Sequence, residues 1–235
     1  MEYNAEFYSG RRKMTQPAAE KILPILMQLA SVRSVADFGC GIGVWLSVAR
    51  TMGATRTIGF EGEWVTTEML ENADIDLKRG SLEKRVQLDE PVDLAISLEV
   101  AEHLSAVRAD SFVDDLCAAS SLILFSAAVP GQGGKGHVNE QWQSYWAEKF
   151  GHHGYRIFDI VRPQIWGDAE IPYWYQQNTM VLIREGHVPV SLQGCDKTPA
   201  QMDLVHKKLL ERIHTKSLSF FGRLRAKAGR KRAAL

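Results

Sequence analysis

The sequence predicts a doubly wound α/β protein: one seven-stranded, mostly parallel sheet with helices on both faces. Three observations carry that class. Short apolar runs rich in β-branched and aromatic residues recur along the chain, stretches of helical periodicity separate the first five, and a glycine-rich turn follows the first run. A leading helix is expected over 16–29, with Pro17 tolerated in its first turn. A strand over 34–38 leads through the glycine turn into a helix over 44–52. The second strand, 56–61, is followed by a helix over 64–72. The third and fourth strands, 75–78 and 93–98, precede a helix over 106–119. After a fifth strand at 122–126, a long loop over 127–140 enters an aromatic helix at 141–150. Strands over 156–161 and 179–184 complete the set, and a linker over 186–200 leads to a helix at 201–217. The domain reading is a helical cover over 1–30, the α/β domain over 31–186, and a linker, helix and basic tail over 187–235.

Composition excludes several classes. With 235 residues, 45% of them hydrophobic, the chain is long enough to bury a core without disulfides. Its three cysteines, Cys40, Cys117 and Cys195, form no CxxC pair, which argues against a secreted disulfide scaffold or a zinc ribbon and for a reducing cytoplasm. The mixed, charged first residues predict no secretory signal. The longest apolar stretch, 122–129, falls far short of the ~20 residues of a membrane span. The 28 basic and 28 acidic residues cancel, but residues 203–235 hold ten Lys/Arg against two acids, a charge of +8, so 1–202 carry −8.

The strongest motif is Asp37-Phe38-Gly39-Cys40-Gly41-Ile42-Gly43, between a strand and a helix. Glycines there let the backbone approach a ligand, and the helix start offers free N–H groups. Val44 stands where a dinucleotide-binding GxGxxG would need its last glycine. The second strand ends in Glu61, whose carboxylate suits both hydroxyls of a ribose. The competing reading is a tight turn followed by a surface glutamate.

At these residues the sequence resembles the class I S-adenosylmethionine-dependent methyltransferases, over 30–185. The resemblance implies that Asp37, Gly39, Gly41 and Gly43 cradle the methionine and ribose parts of S-adenosylmethionine, with Glu61 on the ribose. Ser81 and Leu82 fall at the family's adenine contacts, and Ser97, Leu98 and Glu99 beneath the methionine part. It also implies the strand order 3-2-1-4-5-7-6, with an antiparallel seventh strand.

The fourth strand runs on into Glu99-Val100-Ala101-Glu102-His103. Three readings stay open. Glu99 contacts cofactor while His103 faces the acceptor as a base; or Glu99, Glu102 and His103 hold a divalent metal, as in ubiquinone-pathway O-methyltransferases that share the run; or His103 is structural. No metal is the working expectation. After the fifth strand, four glycines (Gly131, Gly133, Gly134, Gly136) precede His137, Asn139, Glu140 and Trp142. Such a loop suits closure over a substrate, with His137 a second candidate base and Asn139, Glu140 and Trp142 candidate acceptor contacts. Core packing is the competing account of Trp142, Tyr145 and Trp146. The segment resembles a G-H-x-N-E-Q-W run of bacterial methyltransferases, some encoded among glycan-assembly genes.

The resulting expectation is a cytoplasmic, S-adenosylmethionine-dependent methyltransferase acting on a small-molecule or sugar hydroxyl. The alternatives are an RNA or protein methyltransferase anchored by the basic tail, and a non-catalytic binding protein with this fold. Nucleic acid is not the expected partner, since the Ser97-Leu98-Glu99-Val100 segment lacks the Pro-Pro-aromatic run of base-modifying enzymes. The tail is read either as solvated chain or as a contact to an anionic membrane surface, with Phe220, Phe221 and Leu224 as its apolar part.

Overall fold

The computed structural model describes residues 5–215 and 217. Its sheet comprises β1 (Ser34–Phe38), β2 (Arg56–Glu61), β3 (Asp76–Arg79), β4 (Leu94–Leu98), β5 (Leu122–Ser126), β6 (Tyr155–Phe158) and β7 (Met180–Arg184). The order is β3-β2-β1-β4-β5-β7-β6. Neighbours run parallel except at β7, which is antiparallel to both β5 and β6. This is the topology the resemblance implies. Helices α1 (Ala5–Met27), α2 (Val44–Thr51), α3 (Ala109–Ala119), α4 (Gln143–His152), α5 (Arg162–Ile165) and α6 (Tyr173–Asn178) surround it.

Alternation along the central strands sorts side chains onto two cores. Val35, Leu94, Ile96, Leu122, Leu124, Val181 and Ile183 cluster with apolar residues of α1 and α2. Ala36, Phe38, Ala95, Ile123, Phe125, Met180 and Leu182 cluster with those of α3 and α4. Each large side chain so buried contributes about 1.5–3 kcal/mol. The glycine turn and the loop after β5 leave the sheet where both cores end, so a rigid frame fixes both.

Four elements depart from the sequence reading. The leading helix begins at Ala5, not 16, and Pro17 and Pro24 lie inside it. Complete burial of Ala18, Ala19, Ile22, Leu23 and Leu26 outweighs the lost N–H groups. No helix forms over 64–72, only a 3₁₀ turn at Thr67–Met69. Val65, Thr66 and Thr67 are β-branched, and Val65 is buried with Ile42 and Val44. Between β6 and β7 stand two short helices, α5 and α6, where only a connection was expected. The last helix starts later than expected: a 3₁₀ turn at Pro199–Met202, closed by a Thr198–Gln201 capping box, precedes a helix over 207–215.

Residues up to Leu204 make one compact unit and those from Val205 a second. The tail residues Phe220, Phe221 and Leu224, and the basic run over 229–232, lie outside the described residues. Among the described residues no helix is long and apolar enough to cross a membrane.

Candidate active site

The chain winds outward from β1 and β4 in opposite directions, so a crevice opens at their carboxyl ends. Gly39, Gly41 and Gly43 adopt φ values of +92°, +55° and +79° there. A side chain is strained in that region, and at Gly39 and Gly43 it would also crowd a neighbour. A Cβ on Gly39 would stand 2.4 Å from Val100 Cγ2, and one on Gly43 2.6 Å from Ile75 Cδ1. The N–H groups of Gly39 and Cys40 both donate to Phe60 O, at 2.8 and 3.1 Å, which ties the turn to β2.

Glu61 closes β2 beside this turn. Its two oxygens accept the N–H groups of Gly41 (2.7 Å) and Gly62 (2.8 Å), and the Trp64 side chain also hydrogen-bonds it. A carboxylate oxygen has more than one lone pair, so acceptor capacity remains for a diol. Asp37 is 2% exposed, and its Oδ2 has no hydrogen-bond partner. Burial first, then the charge of Glu61, pushes the Asp37 carboxyl well above its ordinary range. Burial also raises Glu61, against the two N–H bonds. The Ser97 hydroxyl on β4 is buried without a partner as well. Buried acceptors left open beside a glycine cradle are what a polar, nucleoside-bearing ligand would satisfy. These residues fit S-adenosylmethionine.

Glu99 follows β4 at φ +57°, the sole non-glycine residue with positive φ among the described residues. Such a conformation costs on the order of 1–3 kcal/mol and needs surroundings that enforce it. Its carboxylate accepts from Ser126 Oγ (2.9 Å), Gln132 Nε2 (2.8 Å) and Asn178 Nδ2 (2.9 Å), while its own N–H donates to Ser126 Oγ (3.1 Å). Asn178 Nδ2 also reaches Gln132 Oε1, and Gln177 Nε2 reaches Asn178 Oδ1. Burial raises the Glu99 carboxyl, and the three donors oppose that rise. Gln132, Gln177 and Asn178 are functional candidates that sequence reasoning missed. For Gln177 and Asn178 the available signal was a Gln-Gln-Asn run just before an apolar strand; Gln132, in the glycine-rich loop, carried none.

Past Glu99, a 3₁₀ turn at Ala101–His103 brings Glu102 and His103 against the loop after β5. Glu102 is fully buried, and its carboxylate meets no side-chain donor. Burial first, then the charge of Glu99, pushes it well above the ordinary range; its own N–H and that of Ala128 only temper this. The Glu102 carbonyl accepts from the N–H groups of Val138 and Asn139, at 2.9 and 3.0 Å, fastening the loop to the turn. The rings of His103 and His137 meet edge to face, with centroids 4.8 Å apart. His103 Nδ1 lies 3.2 Å from Gly136 O, and His137 Nδ1 2.8 Å from Glu140 Oε1.

Glu140 also accepts the N–H groups of Gly131 (2.9 Å) and Gly133 (2.6 Å), so the glycines wrap a carboxylate instead of forming an open flap. Asn139 is buried, its Oδ1 bonded to Gln141 Nε2 and its Nδ2 unpartnered. Of the neighbouring aromatics, Trp146 packs on Phe125 in the core while Trp142 is 42% exposed. Ser81 is exposed and Leu82 half-buried just after β3. Leu98 is buried at the end of β4. The structure thus gathers Glu102, His103 and His137, whereas Glu99 spends both oxygens on the amide cluster. Cys40, buried within the turn, has its thiol pushed well up by burial, which rules against thiolate chemistry.

No family model and no curated protein matches the chain. Solved structures do. A SAM-bound amino pentose methyltransferase, CalS10, from Micromonospora echinaspora, involved in calicheamicin biosynthesis, aligns at TM-score 0.55 and 13% identity, over 78% of this chain and 98% of its own. Magnesium protoporphyrin IX methyltransferase (ChlM) from Synechocystis PCC 6803, with bound SAH, aligns at TM-score 0.53 and 17% identity, over 73% and 82%. The methyltransferase domain of a bacterial Hen1, CtHen1, aligns at TM-score 0.52 and 18% identity, over 73% and 99%. The chain has the class I S-adenosylmethionine-dependent methyltransferase fold.

Proposed function

We propose that this protein transfers a methyl group from S-adenosylmethionine to a hydroxyl of a small-molecule or sugar acceptor. The observation that carries the cofactor is the glycine cradle with Glu61 bonded across it and Asp37 buried and unsatisfied beneath it. Asp37, Gly39, Gly41, Gly43 and Glu61 are assigned to the methionine and ribose parts. Ser81 and Leu82 are assigned to the adenine, and Ser97, Leu98 and Glu99 to the floor under the methionine part. When bound, this cofactor supplies a methyl group already activated on sulfur, so the acceptor's oxygen must be held in line with it. Transfer forms an O–CH₃ bond, breaks S–CH₃ and releases the hydroxyl proton. His103 and His137 are assigned to drawing off that proton, and Asn139, Glu140 and Trp142 to the acceptor wall. Carbonyl and carboxylate acceptors at their Nδ1 atoms give both histidines the tautomer with a lone pair on Nε2.

Calorimetry with S-adenosylhomocysteine and NADH tests the cofactor assignment; binding of NADH alone would overturn it. Mass spectrometry of cell extracts incubated with enzyme and cofactor should then find a product heavier by CH₂. Cofactor binding with no product from any extract would favour the non-catalytic alternative. The +8 charge of residues 203–235 supports a second contact, with anionic lipid at the inner membrane face, and the unpaired cysteines support a cytoplasmic site. Co-sedimentation with anionic vesicles, lost on truncation after Ser217, is the expected result. Salt-dependent RNA binding lost with the same segment would instead favour the RNA-directed alternative.

A further inference from the structure

We propose that residues 199–204 brace the acceptor side of the crevice, with Arg162 and Asp203 as the positioning residues through which they act. The segment follows the linker and packs on α4, where Met202 is fully buried in the same core as Trp146, Ala147 and Phe150. The N–H of Lys197 donates to Ile157 O on β6 at 2.8 Å, which fixes the chain just before it. From there the segment makes polar contacts to both α4 and α6, the two helices whose ends adjoin the acceptor side.

The joint with α6 is the Gln177 carbonyl. It accepts from Arg162 Nη1 and from Gln143 Nε2, each at 3.1 Å. The same two nitrogens donate to Met202 O (2.7 Å) and Leu204 O (2.9 Å). Arg162 and Gln143 are 2% and 1% exposed. A buried guanidinium is costly unless its donors are met, and here Asp159 takes Nε and Nη2 at 2.8 Å each. Core packing of Met202 needs none of these bonds, since apolar side chains would fill the same space. What the polar pair adds is a fixed spacing between two carbonyls from separate segments. The Gln177 side chain in turn donates to Gln132 Oε1 (3.2 Å) and Asn178 Oδ1 (2.8 Å), and Gln132 and Asn178 hold Glu99. Met202 and Glu99 are thus the two ends of one hydrogen-bonded chain.

The joint with α4 is Asp203. Trp142 precedes that helix without capping it, and its first turn carries no acid. Asp203 supplies the missing carboxylate from 59 residues away: Oδ1 accepts the N–H of Ser144 (2.8 Å) and Oδ2 the Ser144 hydroxyl (2.9 Å). The chain entering α4 is the loop that carries His137, Asn139 and Glu140, so this cap fixes the end of the loop. The glycine turn is held separately, by Phe60 O of β2. The brace therefore governs how the acceptor is held and leaves the cofactor's affinity alone. That the braced surface receives an acceptor rests on the methyltransferase reading; the mechanical coupling does not.

The test is hydrogen exchange of the full chain, read by mass spectrometry on peptides spanning 131–142. Asp203 is exposed, so Asp203→Ala leaves the core intact. Loss of one helix cap should speed exchange about fivefold at the bonded amides of Gly131, Gly133, Val138, Asn139 and Gln141. Asp203→Asn keeps one acceptor oxygen and should restore most of the protection. Arg162→Lys keeps a charge beside Asp159 but cannot span both carbonyls, and should speed the same peptides. S-adenosylhomocysteine affinity and exchange over 39–43 should stay unchanged in all three variants. Incubation with serial dilutions of cell extract then separates binding from turnover. Asp203→Ala should need more extract to reach half its maximal rate, a shift that lost stability alone does not produce. Unchanged exchange over 131–142 in both Asp203→Ala and Arg162→Lys, faster exchange spread evenly along the chain, or an equal loss of S-adenosylhomocysteine affinity would overturn the brace. Faster exchange with an unmoved half-saturation would overturn its role toward the acceptor. Absence of product from every extract, with the wild type, would remove the methyltransferase reading and leave the exchange result to decide the coupling.

Discussion

Replacing Glu99 with alanine removes the acceptor shared by three buried donors. The loss can be worked through donor by donor. Gln132 Nε2 loses the carboxylate oxygen it donates to at 2.8 Å. Asn178 Nδ2 keeps Gln132 Oε1 at 3.0 Å, and the Ser126 hydroxyl can rotate while still accepting the N–H of residue 99. A buried donor fully orphaned costs about 1–3 kcal/mol, so one full and two partial losses come to about 3–4 kcal/mol. For a chain of this length that lowers Tm by about 6–16 °C. Glu99→Gly loses the same acceptor but relieves the φ of +57°. Weighing that relief against glycine's greater freedom when unfolded leaves it about 0.5–1 kcal/mol more stable than the alanine variant. Urea unfolding followed in parallel by tryptophan fluorescence and circular dichroism measures both differences and checks two-state behaviour. An alanine variant within about 0.5 kcal/mol of wild type, or a glycine variant less stable than the alanine one, would refute the argument.

Glu61→Ala should weaken S-adenosylhomocysteine at least about tenfold by calorimetry, since charge-assisted hydrogen bonds contribute about 1.5–3 kcal/mol each; unchanged affinity would remove Glu61 from the ribose. Asp37 has a folded pKa raised well above its unfolded value, so its contribution to stability is full below the unfolded pKa and is lost as pH rises toward the folded one. In cofactor-free protein, Asp37→Asn should therefore flatten the decline in urea midpoint above about pH 4, a slope of up to about 1.4 kcal/mol per pH unit; parallel curves for the two proteins would contradict this. Phe125→Ala should lose about 3–5 kcal/mol, because the ring is fully buried between Trp146 and Phe150, and unfolding midpoints will show whether it does.

What could be read from the sequence, and what could not, divides along physical lines. β1, β2 and β5 end where expected because each is a short apolar run stopped by glycine, a charge or a polar turn, which are local signals. The 64–72 segment misled because its periodicity looked helical, while burial of Val65 and a β-branched run decided for an extended path. α6 left no mark, since Tyr173–Asn178 is too short to show a period. The same division runs through the site. The glycine side of the crevice is built mainly from backbone: positive-φ glycines and N–H groups aimed at Glu61, which force glycine at fixed spacing and so announce themselves. The other side is built from side chains that converge from separate segments. Glu102 and His103 come from the turn after β4, His137 and Glu140 from the loop after β5, Gln177 and Asn178 from α6. No spacing rule links them, because only the β4-β5-β7 adjacency in the sheet brings them together. That adjacency also separates the two tasks mechanically. Substitutions at 132–142 and 176–178 can reshape what the crevice accepts while the glycine turn, hydrogen-bonded to β2 on the far side of β1, keeps its conformation.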